Sequence, residues 1–290
     1  MKYISLNDLT ESIRKNIYKI PHDIDFIIGI PRSGMIVGSI VSEFLNVPLI
    51  DINSFCYGSK PSGGNRLILV NKPVTNKVLV IDDTCYSGAS MKSAKEKLKD
   101  FEYEFIYMAA YLEGAGDKEI DIYLEDVRQY TKGSQIPIVL YQWNIFHHYP
   151  FIMQRCLYDI DGVLCCDPPD ERNEEEYVNY IKNAVPLFVP TVPIGGIVTY
   201  RLIKYQDITT KWLKDNGISY GGMCMFNAQS WDERNESGVS PEQLKALVYK
   251  ANKNMILFIE SNDYQAQQIH KLSSKPVLCV ESNKLYDNYS

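Results

Sequence analysis

Two consecutive α/β domains, each built on a mostly parallel sheet, are what this 290-residue sequence predicts. Three observations carry that expectation. Short apolar strands alternate with amphipathic helical stretches along the whole chain. Two of those strands end in paired carboxylates followed by a glycine-bearing turn: Val78-Leu79-Val80-Ile81-Asp82-Asp83, and Leu157-Tyr158-Asp159-Ile160-Asp161-Gly162. The length is also sufficient for two cores of ordinary size.

In chain order, Leu9, Ile13 and Ile17 recur at helical spacing and predict an amphipathic helix over 7–19 that starts near Asn7. Residues 24–30 read as a buried strand, 34–45 as a helix, and 47–50 as the start of a short strand. Turn formers fill Tyr57 to Arg66 without an apolar period, which predicts a mobile loop. Residues 78–81, 105–111 and 136–140 supply further strands, with a helix across 90–98. No Ser/Gly linker follows. The expected boundary lies near His147-His148-Tyr149-Pro150, giving domains 1–150 and 151–290. Beyond it, strands are expected at 156–158, 194–198, near 223–226, at 255–259 and at 277–280. Helices at 202–216, at 242–251 and between the last two strands complete the second unit.

Composition narrows the function. With 45% hydrophobic and 23% charged residues and a net charge of −6, the chain reads as a soluble globular protein. Neither half carries a basic excess, so nucleic acid is not an expected partner. No apolar run reaches the roughly 20 residues needed to span a bilayer. The start, Met1-Lys2-Tyr3-Ile4, lacks a secretory apolar stretch. Seven cysteines, an odd number without metal-type spacing, suit a reducing compartment and predict a cytoplasmic protein.

A five-carbon sugar phosphate offers a dianion and a vicinal diol. Backbone N–H groups of a turn entering a helix bind the first, and carboxylates just upstream accept hydrogen bonds from the second. Asp82 and Asp83, followed by Tyr86, Ser87, Gly88, Ala89 and Ser90, supply both in that order. A strand-end acidic turn with a capping serine is the purely structural alternative. This segment resembles the fingerprint of the type I phosphoribosyltransferases. Ile28-Gly29-Ile30-Pro31-Arg32-Ser33-Gly34 sits where that family has its pyrophosphate-binding loop, and Tyr57–Arg66 where it has a catalytic flap. The resemblance covers about residues 20–145. It implies phosphoribosyl pyrophosphate as donor and Mg²⁺ as cofactor. Arg32, Ser33 and Gly34 would lie on the leaving pyrophosphate, with Lys60 and Arg66 as phosphate contacts. Ala89 stands where many relatives carry glycine.

In the second half, Asp159 can attack phosphorus, since a carboxylate needs no deprotonation at neutral pH. Asp161 can protonate the leaving oxygen and later activate water. Taken alone, the Asp-x-Asp turn could equally be a calcium-type turn or a glycosyltransferase metal motif. Together with three later segments it resembles the haloacid dehalogenase (HAD) superfamily. The first is Ile194–Arg201, in which Thr199 would bond the transferred phosphoryl. The second is Leu244–Tyr249, making Lys245 the charge partner, with Lys250 and Lys253 competing. The third is Phe258–Asp263, in which Glu260 and Asp263 would join Asp159 and Asp161 on Mg²⁺. The resemblance implies a HAD-like Rossmannoid domain. About 35 residues, including the acidic run 170–176, separate the first two motifs, and the insert at 229–240 is also short, leaving little room for a large cap. An open site favours a bulky phosphate ester.

A phosphoribosyltransferase product carries a 5-phosphate that a fused phosphatase could remove. The pairing resembles transferase–phosphatase pairs that place ribofuranose in bacterial surface polysaccharides. It implies a saccharide acceptor, often lipid-linked, and is compatible with a homodimer. Two other readings stay open: a nucleobase acceptor with release of a nucleoside, and a regulator that binds phosphoribosyl pyrophosphate without turnover. Trp143 and the tyrosines around it keep the nucleobase in play as a stacking surface, or are simply core aromatics.

Overall fold

A computed structural model describes residues 1–64, 74–130, 132, 138–147, 150–169 and 173–288. The chain divides into two compact units, Ile4–Val139 and a second made of Met1–Tyr3 with Leu140–Ser290. The division falls before the expected boundary and returns the first three residues to the second unit. His148 and Tyr149 of the expected boundary lie outside the described residues.

The first unit opens with α1 (Leu6–Asn16), which starts one residue earlier than the periodicity suggests because Ser5 and Asp8 form a capping box. A 3-10 turn at Ile17–Lys19 ends it. The sheet that follows comprises β2 (Phe26–Gly29), β3 (Leu49–Asp51), β4 (Lys77–Cys85), β5 (Glu104–Leu112) and β6 (Ile122–Asp126). Its order is β3-β2-β4-β5-β6 and every pairing is parallel. Helices α2 (Ser33–Leu45), α3 (Ile52–Cys56) and α4 (Ala89–Leu98) make the crossovers. Residues 78–82 of β4 are fully or nearly fully buried, as a central parallel strand covered on both faces requires. One face packs Phe26, Ile28, Val78 and Val80 against Phe55 and Leu98.

Apart from the main sheet of the second unit, β1 (Lys2–Ile4) pairs with β7 (Val139–Tyr141) in a two-stranded sheet, and both strands straddle the division. The main sheet has β8 (Cys156–Tyr158), β9 (Gly196–Leu202), β10 (Met223–Phe226), β11 (Leu257–Glu260), β12 (Val277–Cys279) and β13 (Lys284–Tyr286). Their order is β10-β9-β8-β11-β12-β13, parallel except for the edge strand β13. Helices α5 (Pro150–Met153), α6 (Glu174–Asn183), α7 (Gln206–Asp215), α8 (Trp231–Glu236), α9 (Pro241–Ala251) and α10 (Asp263–Ser273) connect or flank the strands. Two apolar clusters form its core, one around Leu157, Tyr249 and Phe258, the other around Tyr177, Tyr205 and Phe226. Trp143 is half-buried with its ring 5.1 Å from that of Tyr141. Among the described residues, no helix is long and apolar enough to cross a membrane.

Candidate active sites

In the first unit the chain leaves β2 toward β3 on one side and returns to β4 on the other. Open parallel sheets bind ligands in the crevice at the carboxyl ends of strands where the order reverses in this way. Both candidate loops open into that crevice. Gly29 ends β2 opposite Ile81, and Ile30 N–H donates to the Ile81 carbonyl at 2.9 Å. The Pro31–Arg32 peptide is cis, Arg32 is the exposed N-cap of α2, and Ser33 opens the helix. A Cβ at Gly34 would stand 2.6 Å from the Ile81 carbonyl oxygen and 3.0 Å from Asp82 Cα. Glycine there lets the start of α2 rest directly on the strand that carries the acids.

Asp82 and Asp83 are buried on β4. Asp82 Oδ1 accepts from Asp83 N–H and Asp83 Oδ1 from Thr84 N–H, each at 2.9 Å. Burial, and then the adjacent Asp83 carboxylate, push Asp82 up to about 8. Tyr86 and Ser87 are exposed, and Gly88 caps α4 at φ 77°, followed by exposed Ala89 and Ser90. Two glycines that the sequence reading passed over form the floor of this loop. A Cβ at Gly114 would lie 2.4 Å from the Tyr86 carbonyl oxygen, and one at Gly116 2.5 Å from Gly88 N. The paired glycines of Gly114-Ala115-Gly116 were the available signal. Thus Arg32–Gly34 and Asp82–Ser90 share one crevice. Lys60 is exposed on the segment after α3, which Ser62 pins to Leu49, and Arg66 lies outside the described residues.

The second unit repeats the device. Its order reverses between β8 and β11, and the carboxyl ends of these strands deliver Asp159 and Glu260. Lys245, on the inner face of α9 and 2% exposed, donates at 2.7 Å to Asp159 Oδ2, Glu260 Oε2 and Gln265 Oε1. Lys250 instead reaches the Leu272 carbonyl from an exposed position, and Lys253 is exposed. Burial disfavours the Lys245 charge, but Asp159 and Glu260 hold it above the ordinary lysine value. Burial pushes Asp159 up to about 7 against the pull of Lys245. Lys245 gains from both carboxylates, whereas for Asp159 burial is the larger effect, joined by the neighbouring Glu260.

Asp161 has different company. Arg201, on β9 and 1% exposed, donates from Nε to Asp161 Oδ2 at 3.0 Å and from Nη2 to Oδ1. The Tyr180 hydroxyl adds a bond to Oδ1 at 2.7 Å. Burial would raise Asp161, but the Arg201 guanidinium and the Tyr180 hydroxyl outweigh it and hold the carboxyl below its usual range. Neither Arg201 nor Tyr180 was picked out from sequence. A charged residue inside the apolar strand Gly196–Leu202 was the signal, because a buried charge demands a partner.

These groups line a cavity of about 290 Å³ with Asp159, Asp161, Lys245, Glu260 and Gln265 at its base and Asp167 and Glu281 exposed at its sides. Thr199 is fully buried, accepts from Arg201 N–H at 3.3 Å, and is absent from the cavity wall, where its neighbour Tyr200 stands. The expected four-carboxylate metal set is not assembled. Lys245 occupies the space between Asp159 and Glu260, Asp161 is tied to Arg201, and Asp263 bonds Ser282, Tyr286 and Gln267 away from the cavity. Among the described residues, no three His, Cys, Asp or Glu side chains converge as metal ligands in either unit. The second site as built does not fit a protein-held divalent cation.

Residues 3–142 match the family model of the phosphoribosyl transferase domain. Solved structures similar to this chain include orotate phosphoribosyltransferase from Aeropyrum pernix, at 16% identity over 41% of this chain and 68% of that one, TM-score 0.31. Xanthine-guanine-hypoxanthine phosphoribosyltransferase of Helicobacter pylori is 15% identical over 50% and 93%, TM-score 0.33. Adenine phosphoribosyltransferase of Saccharomyces cerevisiae is 15% identical over 41% and 78%, TM-score 0.26. No curated protein matches the chain. Residues 3–142 therefore carry a type I phosphoribosyltransferase domain, followed by a second α/β unit.

Proposed function

We propose that this phosphoribosyltransferase domain transfers a 5-phosphoribosyl group from phosphoribosyl pyrophosphate to a saccharide acceptor, and that the second unit, a HAD-like phosphatase, then removes the 5-phosphate. In the first site Asp82 and Asp83 receive the ribose hydroxyls and the Tyr86–Ser90 turn receives the 5-phosphate. The Arg32–Gly34 loop receives the departing pyrophosphate. Mg²⁺ prefers substrate phosphates with one or two carboxylates to an all-protein cage, so it enters with the pyrophosphate group.

One observation supports the phosphatase step above others: the buried Lys245–Asp159 pair at the base of an open cavity. Asp159 attacks phosphorus and the bond to the sugar oxygen breaks as that oxygen takes a proton from Asp161; water then attacks the aspartyl phosphorus, returning a proton to Asp161, and phosphate departs. Lys245 offsets the charge that gathers on the phosphoryl oxygens. The saccharide is the finer choice. It is supported by the pairing of the two activities on one chain and by the short insert at 229–240, which leaves the cavity uncapped by a large domain.

The test is incubation with phosphoribosyl pyrophosphate, Mg²⁺ and panels of glycans and free bases, following pyrophosphate and then phosphate. Release of both, in that order and only with a glycan, is expected. Turnover with a purine or pyrimidine and none with any glycan would overturn the acceptor. Phosphoribosyl pyrophosphate binding without any pyrophosphate release would favour a regulator.

A further inference from the structure

We infer that Arg201 is the positioning residue of the second site: it holds the Asp161 carboxylate, and with it the proton transfers of the phosphatase step, in place at the wall of the cavity that Asp159 also lines. This rests on the phosphatase reading above and assigns a residue to it.

Three elements support one buried ion pair. From β9, Arg201 grips both Asp161 oxygens with Nε and Nη2, the planar fork that lysine cannot imitate. From α7, Thr209 Oγ1 accepts from Arg201 Nη1 at 3.4 Å. From α6, Tyr180 donates to Asp161 Oδ1 and lies with its ring 5.6 Å from the guanidinium. The turn's backbone is tied by its own bonds, from Gly162 N–H to the Cys165 carbonyl and from Leu164 N–H to the Ile160 carbonyl, each at 2.8 Å, so what Arg201 adds is the placement of the Asp161 side chain. Gly162 sits at φ 75°, where a Cβ would lie 2.2 Å from Ser261 Oγ, so the chain passes close against β11's end without a side chain to wedge it.

A fully buried arginine is an expensive way to gain stability, since apolar residues of similar size often serve as well or better. The charges around the cavity give it a second use. Among the described residues, Asp159, Asp161, Asp167, Glu260 and Glu281 line the space with Lys245 as the one cation, and Arg201 donates to Asp161. Freed from Arg201, Asp161 would keep the Tyr180 hydroxyl and a long contact from the Cys165 thiol, and could swing into the cavity it lines.

The test is a double-mutant cycle on the full chain, with ribose 5-phosphate and p-nitrophenyl phosphate as probes. Arg201→Gln and Arg201→Lys are each expected to lower kcat for phosphate release about 100-fold, the scale of a misplacement near 1 Å, with KM changed by less than about threefold. Because Arg201 acts through Asp161, Arg201→Gln placed on Asp161→Asn should cost no more than about twofold further. A merely structural arginine would cost the same on either background, and that result overturns the inference. So does wild-type kcat in Arg201→Lys. Should Arg201→Gln fail to fold by circular dichroism, Tyr180→Phe takes its place in the cycle, with a loss of about 10-fold expected on the wild-type background and none on Asp161→Asn. A wild-type chain that releases no phosphate from either probe, while binding phosphoribosyl pyrophosphate, overturns the phosphatase reading and this inference with it. An active wild type with unaffected variants overturns the inference alone.

Discussion

A carboxyl group taken out of water ionises less readily, and Asp82 is both buried and flanked by Asp83. Its folded value near 8 lies above that of an exposed aspartate, about 3.9. A raised folded value means that its contribution to stability is fully present below about pH 4 and is lost as pH climbs through about 8. In urea melts, wild type should therefore lose ~2–5 kcal/mol relative to Asp82→Asn between pH 4 and 8. Equal pH slopes for the two proteins would refute this. Ribose hydroxyls donate to the ionised form, so affinity for phosphoribosyl pyrophosphate should rise over the same interval. Each charge-assisted bond is worth about 1.5–3 kcal/mol, so Asp82→Asn with Asp83→Asn should weaken transfer by at least about 100-fold. In the other unit, Asp159→Asn should stop phosphate release and spare pyrophosphate release, letting a phosphorylated product accumulate; arrest of both reactions in a folded protein would contradict the division of labour. These acids were legible because each terminates an apolar run. Lys245 was legible as one of three lysines, and helix phase separates it: it shares a buried face with Tyr249, whereas Lys250 and Lys253 face water. Arg201 was not, because its partner is 40 positions away and nothing local announces the fork.

Elements meet the sites through their ends, and glycine decides how closely. Gly34→Ala should cost ~1–3 kcal/mol, because the new methyl meets backbone that cannot rotate aside. Gly88→Ala pays ~1–2 kcal/mol for its left-handed backbone and must also displace Glu119, whose Cγ lies 2.6 Å from the added atom. Both variants should weaken phosphoribosyl pyrophosphate binding in calorimetry. Gly222→Ala, which meets nothing within 4 Å and has no positive φ, should stay within about 0.5 kcal/mol of wild type. If all three behave alike, close approach is not what these positions provide. The strand–helix alternation was readable since buried parallel strands are continuous apolar runs, as in residues 78–81. Boundaries were less so. The helix expected at 202–216 begins at Gln206 after a 3-10 turn, and the strand expected at 194–198 runs instead over Gly196–Leu202. The strands β6 and β13 went unread because they are short, lie at sheet edges and carry polar residues on their open sides.

At the scale of the whole molecule, two sheets place their acids at the same topological position, the point where strand order reverses. That coincidence was visible in outline, since each acidic strand begins a new run of strands and helices. The membership of Met1–Tyr3 was invisible, because three residues carry no period and their partner β7 is more than a hundred positions away. Removing residues 1–3 should therefore lower the melting midpoint of the second unit, followed through Trp212 and Trp231, and leave the first unit's transition in place. The same pairing has a consequence for synthesis. Residues 2–4 are made before the intervening unit, yet the strand they join is made only after that unit has emerged. During that interval the segment waits as an unpaired edge, and domains that fold as units during synthesis would leave it among the last pieces to dock. Slowing translation should lengthen its exposure to proteases or chaperones without altering the finished protein.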